Sequence, residues 1–436
     1  MQYYSTNRQA PDASLQEAVV KGLAPDRGLY MPEVIPSIPK AFFNNISEMS
    51  LQDIAYVVAN TLFGQDIESE KLKNIVNETL NFDIPLKHVN GNIYSLELFH
   101  GPTLAFKDVG ARFMARLLGY FNRKNNGEGS TVNVLVATSG DTGSAVANGF
   151  LNVPGIRVYV LYPKGKVSKI QEAQFTTLGS NITALEVDGT FDDCQALVKS
   201  AFMDKELNDR MQLTSANSIN VARFLPQMFY YFHAYAQLAK MGKPLDNVVV
   251  SVPSGNFGNI TAGLIGKRMG LPIKRFIAAN NRNDIFYQYL QTAEYSPRPS
   301  VATIANAMDV GDPSNFARVL DLYGSYKAIA AEISGCTYTD EQIAETLKDT
   351  YKSAGYLLDP HGAVAYRSLL EGLDGNETGI FLETAHPAKF KDTVEQIIGE
   401  RIDIPAKLAA FMKGTKSTVK MSPAFSAFKK FLLKNA

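Results

Sequence analysis

The stretch Thr131-Val132-Asn133-Val134-Leu135-Val136-Ala137-Thr138-Ser139-Gly140-Asp141-Thr142-Gly143-Ser144 passes from a β-branched apolar run into a glycine-bearing turn. The apolar residues from Ala145 to Phe150 then begin a helix. A short apolar run followed by a glycine turn and a helix start is the signature of one strand–helix unit. The unit recurs on both sides. Residues 156–161 and 182–187 read as strands, each followed by a helical stretch, at 169–178 and 192–202. Residues 247–252 run into a second glycine turn and a helix at 260–268, and 273–279 and 379–382 read as further strands. Buried strands alternating with helices predict an α/β chain with parallel sheets covered on both faces. In such sheets ligands sit beyond the carboxyl ends of strands, where these glycine turns lie.

Composition narrows the function. The chain has 436 residues, too many for one hydrophobic core, so more than one domain is expected. Lys+Arg and Asp+Glu balance at 43 each, which leaves no broad basic surface for nucleic acid or anionic membrane. No run of about 18 apolar residues occurs, so no transmembrane helix is expected. Two cysteines, Cys194 and Cys336, with no metal-ligand spacing, argue against a disulfide framework and for a cytoplasmic location. The five histidines show no paired spacing, and no metal site is expected.

One lysine stands out in His100-Gly101-Pro102-Thr103-Leu104-Ala105-Phe106-Lys107-Asp108-Val109-Gly110. Gly101-Pro102 marks a turn, and Phe106, Val109, Phe113, Met114, Leu117 and Leu118 follow at helical spacing. Lys107 is thus predicted near a helix N-terminus with apolar neighbours. Desolvation and a positive helix end favour the free amine, the form that attacks a carbonyl to make a Schiff base. The same features suit a surface lysine whose stem covers apolar side chains.

Four further stretches carry polar chemistry. In Thr138–Ser144 small residues let a ligand approach, and hydroxyls with helix-start amides can grip a carboxylate or phosphate, as they can also simply cap a turn. Val252-Pro253-Ser254-Gly255-Asn256-Phe257-Gly258-Asn259-Ile260 offers a backbone nest for a phosphate at a helix start. It is neither a Walker loop nor a Rossmann fingerprint. Leu382-Glu383-Thr384-Ala385-His386-Pro387-Ala388-Lys389-Phe390 ends an apolar strand in a polar cluster. Ser215-Ala216-Asn217-Ser218-Ile219-Asn220-Val221-Ala222-Arg223-Phe224 supplies amides, hydroxyls and one arginine, a set suited to a phosphate or to a capped helix start.

Together these motifs resemble the threonine synthase family. The resemblance rests on Phe106-Lys107-Asp108, Ala137–Gly143, Pro253–Asn259 and Glu383-Thr384-Ala385-His386-Pro387 in that order. It extends from Tyr3-Tyr4-Ser5-Thr6 and Gly22-Leu23-Ala24-Pro25-Asp26 to Ala307-Met308-Asp309-Val310-Gly311-Asp312-Pro313-Ser314-Asn315. Where the family pattern reads His-Thr-Ala, this chain has His361-Gly362-Ala363.

The resemblance implies a fold-type II pyridoxal-phosphate enzyme, tryptophan synthase β-like, with two sheet-containing domains around a cofactor cleft plus an N-terminal subdomain. The expected divisions are 1–100, a smaller mobile α/β domain at 101–230, and a larger α/β domain at 231–436. It implies that Lys107 holds pyridoxal 5′-phosphate, that Gly255, Asn256, Phe257, Gly258 and Asn259 bind its phosphate, and that Thr384 hydrogen-bonds the pyridine nitrogen. Asp141 is expected near the phenolic oxygen, where much of the wider fold type carries Asn. Thr138, Ser139 and Thr142 would hold the substrate carboxylate. Arg223 with Asn217, Ser218 and Asn220, joined by Lys164, Lys166 or Lys389, would bind the substrate phosphate. The implied reaction converts the small molecule O-phospho-L-homoserine and water to L-threonine and phosphate. A phospholyase releasing 2-oxobutyrate shares the same early steps, and a non-catalytic phospho-ligand-binding homologue would not need Lys107.

Overall fold

The run that begins the strand–helix pattern is a strand, Val132–Ala137, with all six residues buried. The computed structural model describes residues 1–126 and 131–435. Val132–Ala137 lies between Ile156–Pro163 and Gln212–Ser215, paired in parallel with both. Ile182–Val187 pairs with Ile156–Pro163, and Val419–Met421 closes the far edge on Ile182–Val187, again in parallel. This five-stranded sheet is buried along its central strands because helices cover it, as the continuous apolar runs require.

A second sheet has six strands, in the order Ile333–Thr337, Arg275–Asn280, Val248–Pro253, Thr378–Glu383, Ile93–Glu97, Leu86–Asn90. The first five run parallel, and Leu86–Asn90 is antiparallel to its neighbour Ile93–Glu97. At its centre, Val248–Pro253 and Thr378–Glu383 are buried at every position. Their carboxyl ends lead into the two polar motifs, Ser254–Asn259 and Thr384–Phe390. The helix Pro360–Gly372 packs on this sheet through Ala363, Val364, Ala365 and Leu369, all fully buried.

The chain divides into two compact units, each assembled from three segments. One comprises Met1–Gln2, Met31–Phe106 and Phe224–Asp403 and contains the six-stranded sheet. The other comprises Tyr3–Tyr30, Lys107–Arg223 and Ile404–Ala436 and contains the five-stranded sheet. The chain passes from one unit to the other after Phe106 and again after Arg223. Residues 1–100, however, are split between the units, and the C-terminal segment returns to the unit that holds Lys107. The reason is pairing at long sequence range. Val419–Met421 adds a strand to Ile182–Val187, and the helix Phe425–Lys434 buries Phe428 and Leu432 beside Leu197, Val198 and Ala201. The C-terminal segment thus adds Met421, Phe428 and Leu432 to this core, while most of its other residues stay exposed or half-buried. Among the described residues no helix is long and apolar enough to cross a membrane.

Candidate active site

The glycine turn after Val248–Pro253 is braced on two sides. Ser254 N–H donates to Ala279 O at 2.8 Å, and Asn280 Nδ2 donates to Ser254 O at 2.9 Å. Asn256 Oδ1 accepts from Ser314 N–H at 2.7 Å, and its carbonyl accepts from Asn315 Nδ2 at 2.9 Å. Asn315 is held in turn by Arg318, whose Nη1 donates to Asn315 Oδ1 at 2.7 Å. Arg318 is fully buried with its guanidinium 3.9 Å from the centre of the Phe224 ring, and burial lowers its pKa to about 9. At Gly255 a Cβ would lie 2.9 Å from Met308 Cα and 3.0 Å from Ala307 O, so only glycine fits against that backbone.

Phe257 adopts a left-handed conformation, φ 65°, and the helix Gly258–Arg268 begins with no side-chain cap. Its first amides carry the positive end of the helix dipole. Asn259 Oδ1 accepts from the hydroxyls of Tyr230 and Tyr231, each at 2.7 Å. Its buried Nδ2 has no partner among the described residues. An uncapped helix start, a glycine cradle and an orphaned buried donor are what a bound phosphate group requires. The residues fit pyridoxal 5′-phosphate at its phosphate end.

The second polar motif follows Thr378–Glu383. Thr384 is buried, and its carbonyl accepts the Phe106 N–H at 2.8 Å. His386 N–H donates to Leu104 O at 3.0 Å, and Ala105 and Ala385 form an antiparallel bridge. Leu104 takes a left-handed φ of 58° to enter this pairing. The segment ending at Phe106, the residue before Lys107, is thereby stitched to the strand end that carries Thr384. Lys389, fully buried, donates from Nζ to Thr103 O at 2.8 Å in the same place. His386 Nδ1 accepts from Ala388 N–H, and burial pushes its pKa down to about 4, so the imidazole is neutral.

The other unit gathers the remaining sequence candidates. Lys107 opens the helix Lys107–Asn126, and its carbonyl accepts Arg223 Nη1 at 3.0 Å. Arg223 Nε donates to Ala216 O at 2.7 Å. Asn217 Nδ2 donates to Ala137 O at 3.1 Å, which joins the Ser215–Arg223 stretch to the turn beginning at Thr138. Asn220 bonds Val19 O and Ser215 O through Nδ2 and accepts Ala222 N–H through Oδ1, so its amide is engaged in holding the loop. Ser218 is half-buried beside it. Thr138 Oγ1 accepts from the amides of Gly140 and Gly143, at 2.9 and 2.8 Å, and so satisfies one amide in the first turn of the helix Asp141–Phe150, whose N-cap is Gly140. Ser139 and Thr142 are half-buried on either side. Asp141, buried, accepts from Gln171 Nε2 at 2.9 Å.

Several residues of evident structural weight carry no motif signal. Gln171, Arg318 and Asp359 are each buried and bonded to one of these loops or to its support. Asn315 and Glu383 lie inside recognisable motifs, yet their partners are set by tertiary contact alone.

Comparison with known proteins gives the same reading. Residues 78–381 match the family described as pyridoxal-phosphate dependent enzyme. Residues 2–80 match the threonine synthase N terminus and residues 362–432 the threonine synthase C-terminal family. A threonine synthase of Haemophilus influenzae is 45% identical over 435 residues, covering 100% of both chains. The crystal structure of threonine synthase from Escherichia coli superposes with a TM-score of 0.93 at 41% identity, covering 100% of each chain. The PLP-bound threonine synthase from Brucella melitensis gives a TM-score of 0.92 at 35% identity, covering 99% of this chain and 98% of the other. The fold is fold-type II, and the cofactor is pyridoxal 5′-phosphate. By full-length likeness in sequence and structure, the chain belongs to the threonine synthase family.

Proposed function

We propose that this chain converts O-phospho-L-homoserine and water to L-threonine and phosphate, with Lys107 as the residue that carries the cofactor. The cofactor, when bound, supplies an electron sink for the charge left as the substrate's α-proton departs. Every other part is assigned to the chain's own side chains. Lys107 would hold the cofactor, and its amine would serve as the group that moves protons at the substrate's Cα, Cβ and Cγ. Loss of the β-proton expels the γ-phosphate, protonation at Cγ makes the methyl group, and water adds at Cβ.

The Gly255–Asn259 turn holds the cofactor phosphate in this proposal, a role supported by the unpartnered Asn259 Nδ2 and the uncapped helix start. Thr384 would hydrogen-bond the pyridine nitrogen, where a hydroxyl need not keep the ring protonated. Asp141, braced by Gln171, addresses the phenolic oxygen. Thr138, Ser139 and Thr142 present the turn that receives the substrate carboxylate. Arg223, Asn217, Ser218 and Lys389 are each proposed as ligands of the substrate phosphate. Asn220 contributes by fixing the loop, since both its amide protons are on carbonyls. A cytoplasmic location accords with two free cysteines, Cys194 and Cys336.

The observation that carries the cofactor assignment is the pairing of Leu104–Phe106 with Thr384–His386. It places the residue preceding Lys107 on the strand end assigned to the pyridine ring. Borohydride reduction of the loaded enzyme followed by peptide mapping tests it. A pyridoxyl group on Lys107 is expected, and its recovery on another lysine would overturn the assignment.

A further inference from the structure

Behind the two cofactor motifs, within the unit that contains the six-stranded sheet, lies a line of buried polar groups that the reaction does not use. It starts at Glu383, one residue before Thr384. Glu383 is fully buried, and its Oε1 accepts the Asp359 N–H at 2.5 Å. Asp359, also fully buried, is the N-cap of the helix Pro360–Gly372. Its Oδ1 accepts Gly362 N–H at 2.8 Å, and its Oδ2 takes both the backbone N–H and the ring Nδ1–H of His361. His361 then accepts the Ala307 N–H on Nε2 at 3.1 Å. Acceptance at Nε2 fixes the tautomer, with the proton on Nδ1 facing Asp359. Ala307 and Met308 are the backbone against which Gly255 packs. The line therefore runs from the strand end of Thr384 to the underside of the phosphate turn.

We propose that the Glu383–Asp359–His361 line is a positioning device for the cofactor, setting the span between Thr384 and the Gly255 turn. This rests on the assignment of those two motifs to the ring and phosphate ends of pyridoxal phosphate. A rigid cofactor must meet both ends at once, and a turn that moved relative to the strand would lose one of them. Among the described residues, the side-chain bonds of the three go to one another, to Gly362 N–H and to Ala307 N–H rather than to a proposed cofactor ligand. They act through Ala307, the Thr384 backbone and the helix start.

The line also explains the departure at 362. A Cβ on Gly362 would lie 1.6 Å from Glu383 Oε2, so glycine leaves the room in which the carboxyl sits. That Oε2 has no partner among the described residues. Burial, followed by the neighbouring Asp359 and Glu97, raises the pKa of the Glu383 carboxyl well above the usual carboxylate range. Its task is acceptance of one backbone N–H, which does not call for a charge.

The test is the dissociation constant of pyridoxal 5′-phosphate from the full-length apoenzyme, with the absorption band of the bound cofactor read alongside. His361→Phe keeps a ring against Phe390 and removes both nitrogens, and is expected to weaken the cofactor about ten-fold. His361→Gln can still donate and accept, and is expected to recover most of that loss. Glu383→Leu is expected to weaken binding about ten-fold, whereas Glu383→Gln, a neutral acceptor of the same shape, stays within about three-fold of wild type. Wild-type affinity and band in both His361→Phe and Glu383→Leu overturn the proposal. So does a loss in Glu383→Gln as large as that in Glu383→Leu. If the two drastic variants do not fold, Glu383→Gln and His361→Gln decide, because an about ten-fold loss in either contradicts the scheme. Thr384→Val separates the two layers of the argument. A changed band in Thr384→Val with unaffected line variants removes only the line, while no change in any of them removes the ring assignment as well.

Discussion

The Phe106 N–H donates to the Thr384 carbonyl at 2.8 Å, so the residue before Lys107 is bonded to the residue just after Thr378–Glu383. Because the bond uses backbone atoms only, the Thr384 hydroxyl can be removed without breaking it. Thr384→Val is expected to keep unfolding free energy within about 1 kcal/mol of wild type while moving the absorption maximum of the bound cofactor. Denaturant unfolding and an absorption spectrum check both halves, and an unmoved maximum counts against the hydroxyl's contact with the ring.

Gly255→Ala introduces a methyl group 2.9 Å from the Met308 backbone, where no flexible side chain can give way. The expected cost is about 1–3 kcal/mol of stability, together with weaker cofactor binding. Urea unfolding with and without pyridoxal phosphate measures it. A variant as stable as wild type shows that Ala307–Met308 can retreat.

Arg223 bonds Ala216 O and Lys107 O, and it is also the arginine assigned to the substrate phosphate. Arg223→Lys retains a charge but loses the two-nitrogen fork. It is expected to raise the KM for O-phospho-L-homoserine about ten-fold or more and to lower the melting temperature. An unchanged KM with a lowered melting temperature would make the residue a purely structural tie.

The pH dependence of stability follows from His386, whose pKa drops from 6.5 to about 4 on burial. The native state binds that proton less readily than the unfolded chain. Stability from the neutral ring is therefore complete above about pH 6.5 and is lost as pH falls toward 4. Between pH 7 and 5 the loss from this residue is expected to be on the order of 1–2 kcal/mol. His386→Asn keeps an acceptor for Ala388 N–H and should show a shallower acid limb in urea unfolding. An identical limb in both proteins would assign the effect to other groups.

Phe428 sits fully buried in the core of the unit that contains Lys107, on the helix Phe425–Lys434. Phe428→Ala is expected to cost about 3–5 kcal/mol, a value that a solvated tail could not produce. Thermal unfolding measures it, and a change below about 1 kcal/mol would return this helix to the surface.

The α/β class was readable because strands such as Val132–Ala137 and Val248–Pro253 are apolar at every position and end in glycine turns. Those same turns marked the motifs proposed for the cofactor. Strands without that punctuation were not readable. Gln212–Ser215 is short and opens with an exposed glutamine, and Ile93–Glu97 ends in a buried acid that is bonded by Tyr356 and His100. The placement of Val419–Met421 depends on a partner more than 200 residues away, which local periodicity does not encode. The bracing of Asp141 by Gln171, and of the Ser254–Asn259 turn by Asn315 and Arg318, likewise arises from tertiary contact. Motif residues were legible, and the residues that hold them were not.

The measurement that bears most directly on the function is product analysis of the purified enzyme with pyridoxal 5′-phosphate and O-phospho-L-homoserine. L-threonine and phosphate released one for one is the predicted result. Phosphate accompanied by 2-oxobutyrate, or substrate left intact by cofactor-loaded enzyme, would contradict it.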